Sequence, residues 1–367
     1  MVSFTLVKFS KISGDNMELL VIFGGCSSEY EVSLHSSASV LRNIPEKYNV
    51  TKLGITKDGR WYFYDGDIDS IENDTWCVEG KAIPAVLSPD RNDKSLIVMR
   101  NNTFEKIKID VVFPVLHGKN GEDGTIQGIF ELAGIPYVGC GVLSSSMCMD
   151  KAVTNTICDY AGITQAKWAS FTKNEYYNGE INLDEIIEKL QLPIFVKPAN
   201  AGSSVGITKA HNKDELLKAV DLAFIHDNKA VLEECIVGRE LECAVMGNGS
   251  PVASCVGEIL PEAEFYDYDA KYNDGTTGLS IPAKLPDGIE EKIKKAAIKT
   301  YTALGCTGLS RVDFFLKEDG TVCLNELNTL PGFTSISMFP KLFAQEGIAY
   351  GDLIDRLICY ALERNEK

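Results

Sequence analysis

The chain of 367 residues has no apolar run close to the length of a membrane span. It also has no internal repeat and no low-complexity tract. Its eleven cysteines form no CxxC pair, and four histidines are too few to build a cluster beside them. This argues against a zinc ribbon and against a disulfide framework. Thiols set in apolar runs, such as Cys243 and Cys323, read instead as small buried hydrophobes in a reducing cytoplasm. Positive charge is scarce, with 36 Lys and Arg against 52 Asp and Glu and a net charge of −16. Such a field repels nucleic acid and anionic membranes, so a phosphate site must be a local basic pocket. Residues 1–16 carry Lys8 and Lys11 but no long apolar core and no small-residue cleavage site. They read as a disordered upstream extension, not a signal peptide.

With 45% hydrophobic residues, the chain is long enough to bury several cores, and two or three domains are expected. Strand-like and helix-like segments alternate, which favours α/β organisation. Leu19–Phe23 is a buried strand that runs into Gly24-Gly25-Cys26-Ser27-Ser28-Glu29. A helix is expected over Ser33–Ile44, with Ser33 as its N-cap. Asp110–Leu116 is a second strand, followed by His117-Gly118 and a helix Ile126–Ala133 closed by Gly134. Composition changes near Ser144–Lys151, which divides the chain into 17–144, 145–238 and 239–367. In the middle part, Pro193–Pro198 and Val231–Glu234 read as strands and Asp214–Phe224 as a helix. Glu242–Met246 opens the third part.

The third part holds Arg311-Val312-Asp313 and, one hairpin later, Asn325-Glu326-Leu327-Asn328. Glu326 and Asn328 are two apart and share a face on a strand, and Asp313 on the neighbouring strand is able to meet them. An all-oxygen set of this kind suits Mg²⁺, which shares its shell with phosphates and water. Arg311 beside it offers a fixed positive fork to an anion or a developing oxyanion. In the middle part, Lys197-Pro198-Ala199-Asn200-Ala201-Gly202-Ser203-Ser204-Val205-Gly206 is built almost wholly of small residues. Backbone N–H groups in such a loop are able to close on phosphates, although no Walker motif is present. Lys151 and Lys197 stand at segment ends nearby. Taken singly, each lysine and Glu240 also fits the ordinary role of a solvated surface charge.

Together these segments resemble the signature of ATP-grasp carboxylate–amine ligases. The carrying motifs are Val196-Lys197-Pro198 with Gly202-Ser203-Ser204-Val205-Gly206, Glu233-Glu234-Cys235-Ile236, Arg311-Val312-Asp313 and Asn325-Glu326-Leu327-Asn328. Further segments narrow the resemblance to the D-alanine–D-alanine ligase family, including its vancomycin-resistance branch. These are Phe23–Ser33, Leu116–Gly128, Met149-Asp150-Lys151, Phe265–Tyr272 and Leu327–Met338. The resemblance runs from Met17 to the C-terminus.

It implies an ATP-grasp fold of three α/β domains, with ATP held between the central and C-terminal ones. It also implies ligation of two D-alanines through an acyl phosphate, with ATP as co-substrate, two Mg²⁺ ions (Mn²⁺ able to substitute) and a cytoplasmic homodimer. Lys151, Lys197, Ser203, Ser204, Lys271 and Asn325 would serve ATP and its phosphates. Glu233, Glu234, Ile236 and Glu240 would seat adenine and ribose. Asp313, Glu326 and Asn328 would ligate the metal. Glu29, helped by His117, would take the ammonium of the first D-alanine. Arg311 and the backbone at Gly332 would stabilise the tetrahedral intermediate. Tyr272 and Ser203 would link to Glu29 and close the site, while Ser337 and Met338 would line the second subsite.

A carboxylate is a poor electrophile, so making a peptide bond in water requires an activated acyl group kept away from solvent. The segment Phe265–Gly278 suits a lid for that purpose. An intact Phe265–Tyr272 segment disfavours D-lactate as the second substrate. D-serine stands as the alternative, although an apolar Met338 fits a methyl side chain better than a hydroxymethyl. A catalytically silent nucleotide-binding protein on the same fold is the alternative from a different class. Phosphate release with D-alanine and Mg-ATP separates it from a ligase.

Overall fold

In the computed structural model, which describes residues 17–78, 81–202, 205–260 and 278–365, the apolar runs become three sheets. β1 (Met17–Gly24) is wholly buried from Leu19 to Phe23 and lies parallel to β2 (Tyr48–Ile55) and β7 (Val111–Pro114). A strand covered on both faces needs such an unbroken apolar run. From β2 the chain returns through an antiparallel meander: β3 (Trp61–Tyr64), β4 (Ala82–Leu87), β5 (Ser95–Arg100) and β6 (Thr103–Lys108). The sheet order is β6-β5-β4-β3-β2-β1-β7.

The second sheet is antiparallel, with β8 (Trp168–Thr172), β9 (Ile194–Pro198), β10 (Thr208–Ala210) and β11 (Lys229–Glu234) in the order β10-β9-β11-β8. The third has the order β14-β13-β12-β15-β16. It is built from β12 (Arg239–Met246), β13 (Val252–Leu260), β14 (Gly278–Ser280), β15 (Leu309–Leu316) and β16 (Val322–Asn328). Among the described strands, parallel ladders join only β1 to β2 and β7, and a helical crossover, Tyr30–Asn43, connects β1 to β2.

One expectation is corrected. The first helix runs Tyr30–Asn43 with Glu29 at its N-cap, and Ser33 lies inside it. The Ser33 hydroxyl is fully buried, accepts from the Gly24 N–H and donates to the Val115 carbonyl. A hydroxyl that ties two strand ends together cannot also cap a helix. The cysteines are free thiols, though not uniformly hidden, since Cys77 is exposed. No helix among the described residues is long and apolar enough to cross a membrane.

The first and third sheets share one core. Leu19, Val21 and Phe113 pack in the same cluster as Ala244, Met246 and Leu309. Helices Met338–Gln345 and Tyr350–Asn365 fill the space between, with Phe339, Leu353 and Leu357 fully buried. Each such side chain contributes roughly 1.5–3 kcal/mol relative to exposure. Arg364 pins this joint by donating to the Gly139 and Tyr137 carbonyls while its guanidinium lies 4.0 Å above the Tyr137 ring. Helix Ile289–Ala303 covers the other face of the third sheet through Ile293, Ala297 and Tyr301. The second sheet has a core of its own under helix Lys213–His226.

Candidate active site

On the third sheet, Glu240 and Glu242 are two apart on β12, Arg311 and Asp313 on β15, and Glu326 and Asn328 on β16. Register places Glu242 opposite Asp313 and Asp313 opposite Glu326, so three carboxylates form one row across three strands. Arg311 and Asn328 form the next row. A β-bulge follows Asp313, a device that re-aims a side chain locally. Like charges facing one another across a sheet are destabilising, and Arg311 offsets them. Its Nε and Nη2 donate to Asp313 at 2.8 and 2.7 Å, and its Nε lies 3.1 Å from Glu242. Asn328 donates to the same Asp313 oxygen at 3.0 Å. Burial pulls the Arg311 pKa down, but Asp313 and then Glu242 outweigh it, and the group is held well above its ordinary range. Among the described residues, no three His, Cys, Asp or Glu side chains already converge as a metal cage. The acids of this face are arranged around a guanidinium.

Across from this sheet, Lys197 at the end of β9 pairs with Glu233 of β11 at 2.6 Å, and Asn155 donates to the other Glu233 oxygen. Burial depresses the Lys197 ammonium, yet Glu233, with Glu326 and Glu240 beyond it, wins and raises its pKa. Asp150 caps helix Lys151–Tyr160 through the Ala152 and Val153 N–H groups. Lys151 thereby reaches the small-residue loop and donates to the Ala201 carbonyl at 2.7 Å. Glu234 turns its carboxylate onto the Lys167 N–H, away from Glu233. Ile236, Glu240 and Asn325 are half-buried.

Glu29 is buried at the start of the first helix. Gly118 and Gly202 both back onto its carboxylate, and a Cβ on Gly202 would come 2.6 Å from Oε2. A side chain at either position would push the end of Glu29 aside, and at Gly118 the left-handed backbone, with φ +68°, also favours glycine. His117 donates from Nδ1 to the Leu330 carbonyl at 2.9 Å, because a carbonyl only accepts. Its Nε2 therefore accepts from Ser36 at 3.1 Å, and Ser36 in turn accepts from the Phe333 N–H. The imidazole is neutral and both nitrogens are occupied. Burial holds it below its ordinary range, against the pull of Glu29 and the Leu330 carbonyl.

Gly332 lies in the loop that these bonds hold, and a Cβ there would meet Ser337 Oγ at 2.8 Å. Ser337 also accepts from the Thr334 N–H. Met338 is 5% exposed, with its thioether packed over Gly257. This is a core position, which the sequence reading did not assign to it. Ser203, Ser204, Lys271 and Tyr272, with the expected lid from Phe265 to residue 277, lie outside the described residues.

Residues 18–140 match the family model for the D-ala D-ala ligase N-terminus, and residues 157–359 match that for its C-terminus. The chain belongs to the D-alanine–D-alanine ligase family. It is similar to the D-alanine–D-alanine ligase of Acetivibrio thermocellus at 53% identity, covering 96% of this chain and 97% of the relative. Similarity to the enzyme of that name from Caldicellulosiruptor bescii is 48%, over 96% of each. Among solved structures, the VanG D-Ala:D-Ser ligase of Enterococcus faecalis superposes with a TM-score of 0.87 at 43% identity. That match covers 95% of this chain and 100% of the other. The D-alanine–D-alanine ligase of Coxiella burnetii gives 0.85 at 33%, over 96% of each. The fold is that of this family, ATP-grasp.

Two residues of this family member escaped the sequence reading. Glu122 accepts from the Gly118 N–H and from the Leu330 N–H, both at 3.0 Å. The Leu330 peptide is thus clamped at its N–H by Glu122 and at its carbonyl by His117. Burial first, and then the Glu29 charge, push the Glu122 carboxyl up to about 8, against its two N–H donors and Arg311. Glu242 is the other. The acid after Gly121 and the alternating acids of β12 were visible as letters, but only the tertiary contacts give them partners.

Proposed function

We propose that the chain joins two D-alanines into D-alanyl-D-alanine, converting ATP to ADP and phosphate. The γ-phosphoryl group passes to the carboxylate of the first D-alanine, the amine of the second attacks that carbon, and phosphate leaves. The single observation that carries this reading is the sheet face that sets Arg311 against Asp313, Glu326 and Asn328. Its donors are all oxygen and lie in adjacent registers, a set that fits a hard dication. Asp313, Glu326 and Asn328 would hold magnesium, which when bound neutralises charge during phosphoryl transfer.

In this reading Lys151 and Lys197 hold the phosphates. Glu233, Glu240 and the main chain at Glu234 and Ile236 seat the nucleoside, with Asn325 beside them. Glu29 takes the ammonium of the first D-alanine. Arg311 and the Gly332 N–H meet the oxyanion of the tetrahedral intermediate. His117 has both ring nitrogens engaged, so its part is to hold the loop that carries Gly332. Ser203, Ser204, Lys271 and Tyr272 close the site, and Ser337 lines the second subsite with Met338 behind it. The division at 144 and 238 completes this picture.

A cytoplasmic homodimer through the first domain is part of the same reading. Its support is eleven free thiols and an exposed apolar patch of Val86, Met99 and Phe104 on β4–β6. A D-serine specificity is favoured by the VanG likeness, at lower identity than the Acetivibrio thermocellus and Caldicellulosiruptor bescii relatives named for D-alanine. Competition between D-alanine and D-serine should yield mainly D-alanyl-D-alanine.

The decisive experiment is Glu326→Gln, which keeps shape and removes a charge. Phosphate release should collapse while ATP still binds in equilibrium dialysis. Near-normal phosphate release would sink the metal assignment.

A further inference from the structure

We infer that Glu242 is a positioning residue for Arg311, holding the guanidinium on the reaction face when Asp313 turns to metal. This rests on the reading that Arg311 meets the oxyanion and that Asp313 is a ligand.

Glu242 lies on β12, directly opposite Asp313, with its side chain 8% exposed and one oxygen 3.1 Å from Arg311 Nε. A carboxylate buried to that degree is retained only where it is paired. Arg311 thus has two anions in reach, bidentate Asp313 and Glu242. The two are not equivalent. Asp313 stands between Glu242 and Glu326 in the row and is also bonded by Asn328, so it belongs to the oxygen set that suits magnesium. Glu242 stands at the far end of that row, beside Gly257, and faces Arg311.

A carboxylate drawn to a dication has less charge to offer a guanidinium. An arginine held by Asp313 alone would then lose its anchor and regain its rotamer freedom. Glu242 keeps it in place, leaving Nη groups directed at the substrate. The same charge acts in the other direction before metal arrives. By sharing Arg311, Glu242 weakens its hold on Asp313 and makes that carboxylate easier to recruit. Glu242 therefore couples the placement of the cationic fork to the filling of the metal site.

The test uses the full chain with Glu242→Gln, Glu242→Asp, Arg311→Met and the double variant Glu242→Gln/Arg311→Met. Free Mn²⁺ is counted by electron paramagnetic resonance in the presence of ADP, beside steady-state dipeptide synthesis. Glu242→Gln should weaken Mn²⁺ binding several-fold and lower kcat by about tenfold, the scale of coupling between two neighbouring buried charges, with KM for ATP nearly unchanged. Glu242→Asp should recover part of both. In the Arg311→Met background, Glu242→Gln should change Mn²⁺ affinity no further, since a residue acting through Arg311 has nothing left to act on. Equal weakening of Mn²⁺ binding in both backgrounds overturns the inference, as does wild-type kcat and Mn²⁺ affinity in Glu242→Gln. Undiminished ligation by Arg311→Met would instead sink the role given to Arg311 itself. If Glu242→Gln fails to fold, Glu242→Asp read by the same two measurements decides.

Discussion

The two ends of the site use the same kind of residue in opposite ways. On the third sheet, Glu242, Asp313 and Glu326 stand in a row around Arg311, and charge is balanced by charge. At the loop end, Glu29 and Glu122 sit close together, and Glu122 is met by backbone N–H groups. A buried guanidinium keeps its neighbouring carboxylates ionised, whereas burial beside another acid drives a carboxyl toward its neutral form. One end therefore gathers its acids around a cation of its own, and the other is a rigid frame around Glu29.

The sharpest way to break this comparison is Gly202→Ala. A methyl 2.6 Å from Glu29 Oε2 has no room, so either the Glu29 carboxylate or the loop that carries Gly202 must move. Misplacing a substrate-orienting group by about an ångström costs on the order of 100-fold in kcat/KM. The loss should fall on the first D-alanine, with ATP binding less affected. Separate titrations of D-alanine and ATP measure it, and a variant with unchanged D-alanine dependence would show that the loop end is not so tightly framed.

The protonation contrast has its own test. Glu122 is pushed up to about 8 from an ordinary value of 4.5. Between those values the unfolded chain has released this proton and the folded chain keeps it, so this group lowers stability as pH rises through that window. Glu122→Gln does not titrate. Its melting temperature relative to wild type should climb from pH 5 to pH 8 by an amount worth a few kcal/mol and level off above. Its amide also gives up one of the two N–H acceptances, which offsets the comparison at every pH without changing its slope. A flat difference across that range would mean that Glu122 is ionised throughout and the two ends are alike.

A smaller effect is expected from Ser36→Ala. It removes the hydroxyl between His117 Nε2 and the Phe333 N–H at a fully buried site. Leaving those two groups unsatisfied should cost about 1–3 kcal/mol. Thermal melting measures the loss, and kcat should fall less than in Gly202→Ala, because the Glu122 half of the clamp remains.

Much of the third-sheet end was legible in the sequence. Period-two spacing puts Glu326 and Asn328 on one face, and a hairpin brings Asp313 beside them whatever the rest of the chain does. The strand cores were legible for the same reason, since Leu19–Phe23 has no polar residue to place. The helix start was not. Ser33 looks like a cap until the ends of β1 and β7 arrive to take its hydroxyl.

By itself, the sequence determined the family, buried strands such as Leu19–Phe23 and which oxygen donors share a face, because these follow from local spacing and from motifs that sit within single segments. The tertiary structure alone decided that Glu122 and His117 clamp the Leu330 peptide, which lies 208 and 213 residues away from them. It also decided that Glu242 pairs with Arg311, and that Gly202 backs directly onto the Glu29 carboxylate. Such contacts join residues far apart in the chain. Their energies come from burial and exclusion of water, which no local spacing encodes.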